Sequence, residues 1–261
     1  MGQLYVRESG AGTPLLLIHG IISDSSFFDG CMPYLQEQYH VLSYDRRGYG
    51  NSTQCRYCDF RVQTQAEDAA GILREYASEP AWIFGNSAGG LIALALAMQA
   101  PELVKGLVLL EPSLGYDPGE REKLAAWNEE LNGYVRMGKT KRALPAFARV
   151  MGTVSEADRK TSFGELKRTY RNLDNFLYGE LNEVQSYLPE EEHLRAIRVP
   201  VVIGVTQEGR DSIFATSSET AASWIGWPVA TFPGCHNVAK DMPGAFSNVL
   251  LQLLQKLQGE L

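Results

Sequence analysis

A serine hydroxyl attacks a carbonyl when a base takes its proton, a third group holds that base in the right tautomer, and donors receive the charge that develops. The stretch Ala81 to Met98, AWIFGNSAGGLIALALAM, offers the nucleophile and one donor. Its first four residues read as a buried strand, Gly85-Asn86-Ser87-Ala88-Gly89 as a sharp turn, and the rest as a helix. In G-x-S-x-G spacing the serine takes a strained backbone conformation that lifts Oγ clear of the sheet, and only glycine on either side leaves room. Ser87 then sits at a helix N-terminus whose first N–H, that of Ala88, is free to bind an anion. Four histidines are available as the base: His19, His40, His193 and His236. As the acid, Glu111 directly follows the buried run Gly106 to Leu110, whereas Glu208 and Asp211 lie in Gln207-Glu208-Gly209-Arg210-Asp211. A carboxylate carried on a rigid strand suits an orienting role better than one on a loop that must fold back, which favours Glu111 over Asp211.

These residues need elements to position them. Leu4 to Glu8, a turn at Gly10-Ala11-Gly12 and the apolar run Pro14 to Ile18 predict a hairpin into a central strand. Further strands are expected at Val41 to Tyr44, Gly106 to Leu110, Val201 to Val205 and Val229 to Phe232. Helices are expected over Phe27 to Tyr39, over Thr64 to Tyr76 with Thr64 and Glu67 spaced as a capping box, and over Thr216 to Ile225. A last helix shows Phe246, Val249, Leu250, Leu253, Leu254 and Leu257 on one face. This alternation predicts an α/β fold: a doubly wound, mostly parallel sheet with ligands at the strands' carboxyl ends. From Gly115 to about Ile197 no strand-like run occurs. Asp117-Pro118-Gly119-Glu120 opens a helix there, and others are expected over Ala143 to Met151, Ser155 to Phe163 and Glu165 to Tyr187. The division is therefore a core of 1–114 and 198–261 with a helical insertion, 115–197.

Composition narrows the partners. At 261 residues and 44% hydrophobic content the chain can bury a large core. A formal charge of -7 disfavours nucleic acid and anionic membranes, so a small neutral molecule is the expected substrate, with a homodimer left open. No apolar run reaches the length of a membrane span, and Met1 to Gly12 carries charges where a signal peptide would be apolar, which together predict a cytoplasmic protein. Cys31, Cys55, Cys58 and Cys235 are too few for a disulfide framework; the Cys55-Arg56-Tyr57-Cys58 pair reads as a loop with reduced thiols. The chemistry calls for no metal or organic cofactor.

The serine turn resembles the nucleophile elbow of the α/β-hydrolase superfamily, and two further motifs join it. His19-Gly20-Ile21 resembles the H-G-x turn after that family's third strand, which implies a second oxyanion donor in the Ile21 N–H and a turn-bracing role for the His19 side chain. Asp45-Arg46-Arg47-Gly48-Tyr49-Gly50-Asn51-Ser52 resembles its D-x-x-G-x-G-x-S loop, read as scaffold. The family's chain order of serine, acid, histidine removes His19 and His40. His236, in the turn Pro233-Gly234-Cys235-His236 past the last strand, stands where the family's histidine would be, and His193 lies in a charged segment. Family members carry the acid after the seventh strand or at the end of the sixth, so Asp211 and Glu111 both remain. Leu110-Glu111-Pro112 together with Pro233-Gly234-Cys235-His236 is similar to the zearalenone-type lactone hydrolases. The resemblance implies a serine esterase or lactonase without a cofactor, with a helical cap whose aromatics, Trp127, Tyr134, Phe147, Tyr170, Phe176, Tyr178 and Tyr187, are candidates to line a pocket. The same catalytic set also serves carbon–carbon bond hydrolysis or perhydrolysis, and a ligand receptor that has lost turnover is the reading from another class. Epoxide and haloalkane hydrolases carry aspartate where Ser87 stands.

Overall fold

The computed structural model describes residues 4–52, 59–112, 114–150 and 163–259. Among the described residues seven strands form one sheet: β1 (Val6–Ser9), β2 (Pro14–Ile18), β3 (His40–Tyr44), β4 (Ala81–Asn86), β5 (Val104–Leu110), β6 (Val201–Thr206) and β7 (Val229–Phe232), in the order β1-β3-β2-β4-β5-β6-β7. Only β1 runs antiparallel to its neighbour. Because side chains alternate along a strand, each central strand feeds both faces. Leu16, Ile18, Ile83, Leu107, Leu109 and Ile203 pack with α2 (Val62–Tyr76) and α3 (Ala88–Gln99). Leu15, Leu17, Phe84, Val108, Leu110 and Val202 meet α10 (Val238–Asp241) through Val238 and Ala239, and α11 (Pro243–Gly259) through Phe246, Leu250 and Leu254. Among the described residues no helix is long and apolar enough to cross a membrane.

Three local expectations are corrected. The Gly10 turn does not close a hairpin, because β3 lies between β1 and β2; the wholly buried run Pro14–Ile18 thereby gains parallel partners on both sides, β3 and β4. Phe27 to Tyr39 is not one helix but a 3-10 turn, Ser25–Phe28, capped by Asp24, then α1 (Met32–Leu35). Gly30 separates them, and a Cβ there would lie 2.8 Å from the Pro243 ring, so the break is where the chain passes beneath α11. At the start of α2 no capping box forms: Thr64 instead donates its hydroxyl to Asp59 Oδ2 at 2.8 Å, and Asp59 Oδ1 takes the Arg61 N–H at 3.1 Å.

Between β5 and β6 the described chain is helical: α4 (Pro118–Arg136), α5 (Ala143–Val150), α6 (Phe163–Asn175), a π-turn at Phe176–Glu180, α7 (Leu181–Ser186) and α8 (Glu191–Arg195). α4 begins as its residues predict, with Asp117 Oδ1 accepting from the N–H groups of Gly119 and Glu120. The expected helix at Ser155 to Phe163 lies, apart from its last residue, outside the described residues, as does the Cys55/Cys58 pair. These helices stand on the core through polar contacts. Arg46, from the loop after β3, and Glu180 are both buried; the guanidinium donates to both Glu180 oxygens and, at 2.9 Å, to Gly20 O. Tyr49 Oη and Gln65 Nε2 complete the carboxylate's partners. Asn172 on α6 reaches Ser23 O at 3.1 Å and accepts the Gly50 N–H at 3.3 Å. The loop read as scaffold is thus also the seat of the helical segment.

A buried ion pair adds little over a well-packed apolar pair, but deleting one partner strands the other charge. Glu180→Ala is therefore expected to cost about 3–5 kcal/mol in urea unfolding; a loss within error of wild type would show that Arg46 finds another partner.

Candidate active site

Five strands deliver the site at their carboxyl ends. β4 ends at Asn86, and Ser87 follows at φ 54°, ψ -122°, its N–H bonded to Leu110 O on β5 at 2.8 Å. The flanking glycines are dictated by contact: a Cβ on Gly89 would lie 2.2 Å from Ile18 O, and one on Gly85 2.5 Å from Gly89 O. α3 therefore starts directly on top of β2 and β4, and its first N–H groups surround the serine. The turn after β2 runs alongside, since a Cβ on Gly20 would lie 3.2 Å from Ser87 Cβ. His19 is the brace of that turn. Its Nδ1–H donates to Gly20 O at 2.8 Å and its Nε2 accepts the Arg46 N–H at 3.1 Å, so the ring is neutral. Burial, then the Arg46 charge, push its pKa down to about 3.

Of the two candidate acids, Glu111 is the one that meets a histidine. Glu111 continues β5 past Leu110, with its N–H on Gly204 O at 2.9 Å and φ 47°, and its side chain is fully buried. Glu111 Oε2 meets His236 Nδ1 at 2.5 Å, while Oε1 accepts the Thr206 N–H at 2.8 Å and hydroxyl at 2.6 Å. His236 arrives from the turn after β7, is itself buried, and has Phe214 of α9 (Ile213–Ile225) against its ring at 5.4 Å. Asp211 is exposed, and the loop that carries it serves Glu111 differently: Gly209 lies over the Thr206 hydroxyl, where a Cβ would approach to 2.5 Å. His193 is exposed on α8, and His40 lies 3.3 Å from Glu8 on the far side of the sheet. Among the described residues, neither the Ser87 hydroxyl nor His236 Nε2 has a hydrogen-bond partner, so the serine and the histidine are not bonded to each other here.

Thr206 and Phe214 were not singled out from the sequence, although a threonine closing the apolar run Val201 to Val205 is a signal that a buried polar partner is near. Backbone strain marks the same place. Among the described residues the non-glycine positions with positive φ are Ile22, Ser87 and Glu111, each just past the end of β2, β4 or β5. For a β-branched residue such as Ile22 this region is an outlier, and strain of this kind is held by surrounding structure at a cost of about 1–3 kcal/mol per residue.

Ser87 opens into a cavity of about 510 Å³ bounded by Ile21, Ala88 and Leu91 below and by α4 and α7 above. Of the candidate aromatics, Trp127, Phe176 and Tyr187 line it. Phe147 instead packs behind, edge-on to Trp127 at 4.8 Å and Phe176 at 5.4 Å, and Tyr178 points outward. Phe214 lines the cavity and touches His236, so one ring forms the wall between the two. No group of three or more metal-ligating side chains occurs among the described residues.

Burial alone would raise the Glu111 pKa, but the hydrogen bond and charge of His236 and the two bonds from Thr206 outweigh it and hold the carboxyl below the usual carboxylate range. A folded-state pKa below the unfolded value of about 4.3 stabilises the protein above that pH and stops doing so as pH falls through the folded value. The difference in unfolding free energy between wild type and Glu111→Gln should therefore shrink as pH falls below about 4.3. A difference that stays constant down to pH 3 would contradict this assignment.

Comparison with known proteins agrees with this architecture. Residues 13–213 match the family model described as alpha/beta hydrolase fold. The chain is 26% identical over 264 residues to an uncharacterized hydrolase, YraK, of Bacillus subtilis, covering 97% of this chain and 93% of that one. It is 25% identical to the esterase Rv0045c of Mycobacterium tuberculosis, covering 98% and 85%. In structure it is similar to a thermophilic esterase from Thermogutta terrifontis, with a TM-score of 0.76 at 20% identity over 97% of this chain and 93% of that one. With the family matched over most of its length and the sheet, elbow and helical segment in place, the chain belongs to the α/β-hydrolase family.

Proposed function

We propose that the chain is a serine hydrolase that cleaves a carboxylic ester or lactone of a small, mostly apolar molecule through an acyl-enzyme intermediate. The observation that carries this reading is the buried Glu111–His236 hydrogen bond at the strand ends beside a serine held at φ 54° on a helix N-terminus. Glu111 keeps the proton on His236 Nδ1, which leaves Nε2 unprotonated and able to take the Ser87 proton once substrate brings the two together. Ser87 Oγ attacks the carbonyl carbon. The N–H groups of Ile21 and Ala88 receive the oxyanion, each donor worth roughly 2.7–4 kcal/mol in the transition state. As the tetrahedral intermediate collapses, His236 returns its proton to the leaving alkoxide, which in a lactone stays attached to the acyl group. Water, deprotonated by the same nitrogen, then attacks the acyl-enzyme, and Ser87 leaves with the proton. Residues 115–197 act as a cap: α4 and α7 roof the cavity and exclude bulk water, and the apolar lining from Leu91, Leu124, Trp127 and Phe176 suits an apolar body.

Labelling with a fluorophosphonate probe tests this directly, since only an activated serine reacts at a useful rate. Wild type is expected to label, with Ser87→Ala and His236→Ala unlabelled and ester turnover in each reduced by at least about 10⁴-fold. A folded wild type that does not label would favour a receptor with this fold.

A further inference from the structure

The polar part of the cavity wall is one-sided. Asn132 donates its amide to Asn128 Oδ1 at 2.8 Å and to Asn182 Oδ1 at 3.2 Å, and Asn128 also donates to Asn182 Oδ1 at 3.4 Å. Both lining asparagines, one on α4 and one on α7, thus have their oxygens occupied, and Asn182 Nδ2 is left without a partner among the described residues. Gln185, one turn further along α7, also lacks one. Two turns back along α4 stands Arg121, the only charged side chain among the described residues lining the cavity. Its Nε donates to Gly115 O at 3.3 Å, and among the described residues no carboxylate lies within ion-pair distance, so both Nη groups are uncommitted. Tyr116 bonds Pro189 O while Asn128 bonds Asn182, so α4 and the segment 182–189 run antiparallel, and Gln185 falls between Asn128 and Arg121 along the seam.

We infer that the substrate is amphipathic, with a carboxylate remote from the scissile carbonyl that is held at the cavity rim by Arg121 with donors from Gln185 and Asn182. This rests on the hydrolase reading above and names its substrate class. The chemistry is consistent at each end. Arg121 and Asn182 are exposed and Gln185 half-buried, so the anion keeps part of its hydration while a planar guanidinium offers it two parallel N–H donors. The apolar body fills the space between Trp127, Phe176 and Phe214, and the carbonyl reaches Ser87. A neutral tail gives the guanidinium no charge to pair with and leaves these donors to water, and a cationic tail is repelled by it.

The test compares 4-nitrophenyl hydrogen adipate with the shape-matched neutral 4-nitrophenyl 6-methylheptanoate. In wild type, kcat/KM is expected to favour the anionic ester by roughly tenfold or more. That ratio should fall towards one in Arg121→Met, be retained in part in Arg121→Lys, and shrink with added salt. A wild-type ratio of one or below, or a ratio indifferent to Arg121→Met, would overturn the carboxylate subsite while leaving the hydrolase reading intact. If neither ester turns over, the hydrolase reading fails, and calorimetric titration with adipate still decides the subsite: saturable binding that Arg121→Met abolishes supports it, and equal or absent binding in both proteins overturns it.

Discussion

A carboxylate removed from water needs a partner for each oxygen, and at Glu111 meeting that need organises the whole top edge of the sheet. One oxygen is satisfied by Thr206 at the end of β6, the other by His236 beyond β7, and the backbone that carries it is tied to β6 through Gly204. The positions of β5, β6 and the β7 turn are therefore not independent. The Gly209 loop must close over Thr206 without a side chain. On β4, one strand over, the serine is fixed by its own bond to Leu110, the residue before the acid. Ser87 and Glu111 directly follow their strands, which holds their backbones more rigidly than a loop would.

The second constraint is the burial of Arg46. A guanidinium with no exposed surface binds the turn that carries Ile21 through Gly20 O and the helical segment through Glu180. The roof of the cavity and the floor of the proposed oxyanion site thus share one anchor. The π-turn that supplies Glu180 also supplies Phe176 to the cavity, in keeping with the tendency of such turns to occur at functional sites. Two residues on, Asn182 of α7 is tied to Asn128 and Asn132 of α4 by amide hydrogen bonds near the surface.

The parts of the site that were legible in the sequence are those whose geometry is local. Gly85, Ser87 and Gly89 sit in one turn, and their spacing carries the backbone conformation with it. Five buried residues lead straight into Glu111, which favours it over Asp211 as the candidate acid; in the structure Glu111 bonds His236 and Asp211 is exposed on its loop. What could not be read was set by contacts distant in sequence. Glu180 is 134 positions from Arg46, and nothing in either neighbourhood names the other. The same holds for β1: Leu4 to Glu8 reads as a strand, but nothing in it says that β3, rather than β2, is its partner. Strain at Ile22 was invisible too, because no residue type announces a positive φ that the surroundings impose.

The most direct measurement is kcat/KM for a simple 4-nitrophenyl ester in Glu111→Gln and Asp211→Asn, each shown by circular dichroism to be folded. If Glu111 orients His236, its amide variant loses about 10³–10⁴-fold, as expected when the tautomer of the base is no longer enforced, and Asp211→Asn stays close to wild type. A large loss in Asp211→Asn with little change in Glu111→Gln would mean that the acid lies on the loop after β6 and that the buried bond is structural.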